Sequence, residues 1–111
     1  MEDRLKTTLV QAISEFNSKR AEILQLAFDQ GGRPAVTKLE QEYDALRDAY
    51  FEICKQQLDK NNHLYVQLIN TATDETDKLR NTIQSLTNIN DITNSLTTVV
   101  NIIGRLIIVL G

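Results

Sequence analysis

The sequence is poor in the residues that usually carry chemistry. It has one cysteine, one histidine, one proline, four glycines and no tryptophan. Each shortage excludes something. A lone cysteine cannot close a disulfide within the chain, nor build a thiolate zinc site. One histidine and one cysteine leave little material for nucleophilic or acid–base catalysis. Basic residues are short as well: 12 Lys and Arg stand against 15 Asp and Glu, a net charge of −3. Nucleic-acid binders usually show the opposite balance, so no nucleic-acid partner is expected. At 111 residues the chain has room for a single domain, 1–111, and no second core.

What is present is unevenly spread. Residues 1–80 hold 25 of the 27 charges, and residues 81–111 hold only Asp91 and Arg105. Between 61 and 101 lie eight Thr and eight Asn, and beyond them the chain turns strongly apolar. The one strong breaker is Gly31-Gly32-Arg33-Pro34. Glycine suits a helix C-terminus and proline the first turn of the next helix.

Periodicity is helical throughout. Leu5, Leu9, Ala12, Phe16, Ile23 and Leu26, widened by Ile13 and Ala27, predict a first helix over about 3–29. Val36, Leu39, Tyr43, Leu46, Tyr50 and Ile53 alternate three and four apart and predict a second, about 34–60, antiparallel to the first. Phe51, Cys54 and Leu58 form a second stripe on it, which implies two neighbours at its far end. Tyr43 and Tyr50 read as core-edge aromatics with hydroxyls reaching water. After a soft break at Asn61-Asn62, a third helix is expected over about 63–87, on Leu64, Tyr65, Leu68, Ala72, Leu79, Ile83 and Leu86. At 88–91 the stripe changes phase, then resumes over about 90–110. A narrow polar strip remains there: Asp91, Asn94, Thr98, Asn101 and Arg105.

Two arrangements fit. A turn at 88–91 gives four medium helices, and a straight run from 64 to 110 gives three long ones. Either is an all-α antiparallel bundle with coiled-coil-like packing. Four elements is the expectation, although no glycine or proline marks the turn.

Chemistry-bearing constellations are few. On one helix, nine residues would put Cys54 and His63 about 180° and 13 Å apart, out of hydrogen-bond reach. Cys54 reads as a small core residue. Asp59 and His63 have ligand spacing, but no second histidine and no Glu-x-x-His accompany them. Asp74, Glu75 and Asp77 lack the calcium-loop pattern, and Gly31-Gly32 lacks the Lys-Ser/Thr of a phosphate loop. Glu15/Lys19, Lys38/Glu42 and Lys55/Asp59 read as four-residue ion pairs on wet helix faces. No catalytic residue, metal or cofactor is expected.

The reading that remains is a non-enzymatic helical interaction or oligomerisation module. It is expected to self-associate, or bind a partner helical protein, through Ile92, Leu96, Val99, Ile103, Leu106 and Leu110. The alternative is a membrane-active protein that sequesters its apolar C-terminal segment. That segment offers about twelve apolar positions over 99–110 where a span needs about twenty, so a membrane role is not favoured. The start, Met-Glu-Asp-Arg-Leu-Lys, has no apolar signal core, and cytoplasmic residence is expected.

Overall fold

A computed structural model describes residues 2–56 and 63–110. It contains four helices packed together and, among the described residues, no strand: α1 Glu2–Ser18, α2 Arg20–Lys55, α3 His63–Ser85 and α4 Ile89–Leu110. The break at Asn61-Asn62 lies outside the described residues.

The first two boundaries are unusual. Between α1 and α2 the chain does not reverse. Lys19 leaves helical geometry (φ −108°, ψ 11°), yet its N–H donates to the carbonyls of both Glu15 and Phe16, and its own carbonyl accepts from Ile23 at 2.9 Å. The helix axis carries through this hitch, so α1 and residues 20–31 together form the predicted first helix. The true reversal lies inside α2, at Gly32, whose φ of 70° and ψ of −160° are open to little but glycine. Gly31 adds a second constraint: a Cβ there would lie 2.6 Å from the Cβ of Ala35. Pro34 follows in the first turn of the second arm, where its missing N–H costs nothing.

Polar contacts fix the directions. Tyr43 donates to Asn17 at 2.6 Å and Arg20 to Glu40 at 2.9 Å, so the second arm of α2 runs antiparallel to α1. Arg80 donates to Glu15, and Lys19 to the carbonyl of Gln84, so α3 runs parallel to α1. α4 returns antiparallel to α3 after three non-helical residues, 86–88. The neighbour pairs are α1 with α2, α1 with α3, α2 with α4, and α3 with α4. Directions therefore alternate along the chain, while α1 and α4 face each other across a diagonal. The bundle measures 46 × 21 × 18 Å, about the length of a thirty-residue helix.

One continuous core fills it. Leu5, Leu9, Ala12, Phe16, Ile23 and Ala27 enter from the first helix, with Ile13 and Leu26 half-buried beside them. Tyr43 is buried, not a wet edge: its ring stacks on Phe16 with centroids 4.1 Å apart, Arg20 lies over it, and its hydroxyl finds Asn17. Tyr50 is half-buried. The second stripe on α2 does not bury: Phe51 is 52% exposed and Cys54 is exposed, while Leu58 lies outside the described residues. α2 does pack against two neighbours, α1 and α4, but Phe51 and Cys54 stay exposed beside them.

Threonine explains how an Asn/Thr-rich stretch can be helical and partly buried. Thr73, Thr76 and Thr93 are buried, and each hydroxyl donates to the carbonyl four residues earlier, at 2.8, 2.6 and 2.9 Å. The hydroxyl is satisfied within its own helix, and the methyl is left to pack.

Two consequences can be measured. First, the two glycines should respond oppositely to alanine. Gly32→Ala should lose about 1–3 kcal/mol of stability, because alanine must hold a glycine-only conformation. A Cβ placed on Gly104, in the middle of α4, would meet nothing within 4 Å, so Gly104→Ala should gain about 0.5–1 kcal/mol. Urea midpoints of the two variants should move in opposite directions. Second, Ile103 is fully buried within one chain, so Ile103→Asp should abolish the cooperative melt seen by circular dichroism even at high dilution. A folded, cooperatively melting Ile103→Asp monomer would mean that this side chain is not core.

Candidate functional site

α4 has two faces of different character. Its inner face lodges in the groove between α2 and α3. Ile92, Leu96, Val99, Ile103 and Leu106, the residues expected to meet a partner, are all 0% exposed within the single chain. The side chain of Leu110 lies outside the described residues. The wide apolar face is thus filled from within, by α2 and α3, and it offers no surface as the bundle stands.

The outer face is the polar strip. Asp91, Asn94, Thr98, Asn101 and Arg105 are exposed, as their three-and-four spacing implies. In the last turn Ile108 joins them at 78% exposure, the highest of any large apolar side chain among the described residues. Val100, Ile107 and Val109 border the strip half-buried. Phe51 near the end of α2 and Leu64 at the start of α3 belong to the same end of the bundle as Ile108, because α2 and α4 finish where α3 begins.

The turn that creates these two faces is built without glycine. Leu86 takes φ 49°, the left-handed conformation that usually falls to glycine at a helix C-terminus. Asn88 then caps α4, its Oδ1 accepting from the Asn90 N–H at 2.8 Å. Gln30, from the end of the first helix, bridges the turn. Its amide nitrogen donates to the Thr87 carbonyl at 3.1 Å, and its oxygen accepts from the Ile89 N–H at 2.7 Å.

The residues with catalytic or metal-binding chemistry do not converge. Cys54 ends one helix and His63 begins another, and both are exposed. Cys54 touches Tyr50, whose hydroxyl pKa is raised by a hydrogen bond to Cys54 and by burial. His63 meets Gln67 at 3.2 Å. Asp74 is exposed, Glu75 pairs with Lys78, and Asp77 lies 3.9 Å from both Arg4 and Arg80. Among the described residues no three His, Cys, Asp or Glu side chains gather as metal ligands.

The expected ion pairs form differently. Glu15 turns from Lys19 to Arg80, which reaches its Oε1 through both Nε and Nη2, at 3.0 and 2.8 Å. That hydrogen bond raises the Arg80 pKa and holds the guanidinium still more firmly charged. Lys55 pairs with Glu52, Lys38 and Glu42 form no pair among the described residues, and Asp59 lies outside them. The Glu15–Arg80 link ties α1 to α3 and is structural in character.

By length and composition α4 also meets the measure of a membrane span over Ile89–Val109, 21 residues of mean hydropathy 1.5, with 39% of its most apolar window buried in the bundle. Compared with known proteins, the chain matches no family model, no curated protein and no solved structure.

Proposed function

We propose that the chain is a non-enzymatic helical interaction module that self-associates through its C-terminal helix. The observation that carries this reading is Ile108, 78% exposed in the last turn of a helix that has only two charges. An apolar side chain that stands so far out gains by being covered. Phe51 and Leu64, each 52% exposed, extend the apolar character of that end. The inner residues Ile92 to Leu106 support the contact indirectly, by holding α4 rigid against the bundle. Contact then falls to the outer strip. Cytoplasmic residence goes with this reading.

A second reading is favoured by the length of α4. Twenty-one residues at about 1.5 Å each match a hydrocarbon core of about 30 Å. In that case α4 leaves its groove and enters lipid, a step that exposes the core of α2 and α3 and carries a matching cost.

Light scattering across a concentration series separates the two. Self-association should appear by high micromolar concentration, and Ile108→Asp should shift it toward monomer with helical content and melting temperature unchanged. A clean monomer at every concentration, or association indifferent to Ile108→Asp, would overturn the reading. Dye release from vesicles by the monomer would favour the second one.

A further inference from the structure

The outer strip of α4 has a finer pattern than exposure alone. Asn90, Asn94, Thr97, Asn101, Gly104 and Ile108 follow one another at intervals of four, three, four, three and four. This is the spacing of a helix-pairing seam, and the seam carries no charge. All six are exposed or half-buried. The only two charges of α4, Asp91 and Arg105, both lie on the same flank of it, by about 100° of rotation per residue. Neither belongs to an ion pair among the described residues.

We infer that this seam is the surface on which a second copy of the chain docks, antiparallel, about a two-fold axis near residue 99. The inference rests on the self-association proposed above and names its geometry. Asn90 falls opposite Ile108 of the other copy, Asn94 opposite Gly104, and Thr97 opposite Asn101. In the Asn94–Gly104 pair, a bulky amide therefore meets the residue with no side chain. On an antiparallel pair, groups on the same flank face each other across the seam. Asp91, eight residues before the centre, then meets Arg105 of the other copy, six residues after it. The two-fold axis makes this opposite-charge pair twice. A parallel pair would carry the same flank to opposite sides of the seam, where Asp91 and Arg105 could not meet.

Gly104 supplies an independent sign. It is helical, its φ is not positive, and a Cβ there would meet nothing within 4 Å. Among the described residues nothing requires glycine at that position, whereas a helix approaching closely from outside would.

The test is analytical ultracentrifugation of the full chain at low salt. Asp91→Arg and Arg105→Asp should each weaken dimerisation on the order of tenfold, because each creates two like-charge contacts. An equimolar mixture of the two substituted chains should regain the original affinity, since the mixed dimer restores both opposite-charge pairs. Gly104→Gln should weaken the dimer while raising the melting temperature of the monomer. If Ile108→Asp dissociates the dimer but neither charge variant does, or the mixture fails to recover, the antiparallel seam is wrong and self-association through α4 stands. If the chain is monomeric throughout, or floats with lipid vesicles as a monomer, both fall.

Discussion

The covering of α4 is the constraint on which the rest of the bundle depends. Its inward apolar residues, from Val109 round to Val100, spread over about half of its circumference, too wide a face for one partner helix. Ile92, Leu96 and Val99 need a neighbour on each side, and the chain supplies α2 and α3. That requirement sets the neighbour order. With α4 wedged between α2 and α3, α1 can only close the opposite side, so α1 and α4 lie on a diagonal. It also explains why the joint near Gln30 is so carefully bonded. One side-chain amide there satisfies a carbonyl of the turn and the first N–H of α4, two groups that a helix end would otherwise leave to water.

Threonine and asparagine do different work inside and outside the bundle. Inward-facing Thr76 and Thr93 bond their own helix carbonyls and present a methyl to the core. Their cost in helix propensity, a few tenths of a kcal/mol each, is small beside the burial they permit. Outward-facing Asn94 and Asn101 make no such contribution to the core. They keep the strip wet without charge. A helix face given over only to solubility usually carries Glu and Lys at four-residue spacing, which α4 lacks altogether.

Much of this fold was legible in residue order. The stripes Leu39–Tyr43–Leu46 and Leu5–Leu9–Ala12 bury as their spacing requires, and Gly31-Gly32 turns the chain. The turn near residue 88 was legible only through phase. On one straight helix the buried faces of α3 and α4 would point about 180° apart, so a continuous rod could not bury both against the same neighbours. What residue type concealed was subtler. Thr76 completes the interval between Ala72 and Leu79, but it counts as polar until its hydroxyl is seen bonded to Ala72. Leu86 gives no sign of a left-handed backbone, because the turn is imposed by Gln30 and Asn88 from either side. Phe51 and Cys54 have core-like side chains and stay outside, since burial depends on whether a neighbour arrives, and periodicity cannot report that.

The inner face of α4 was legible as apolar but not as satisfied. A single sequence shows that Leu96 and Ile103 must be covered, and does not say by what. Once α2 and α3 cover them, the features left over acquire weight. Gly104 weakens a helix interior by about 0.5–1 kcal/mol relative to alanine, with no compensating contact among the described residues. Ile108 stands in water, and Asp91 and Arg105, in no ion pair among the described residues, lie at similar distances from the middle of a neutral seam. Each is a small loss for a monomer. They fall along one face of one helix, and in the antiparallel pair proposed above a second copy of that face, reversed, would compensate all of them together.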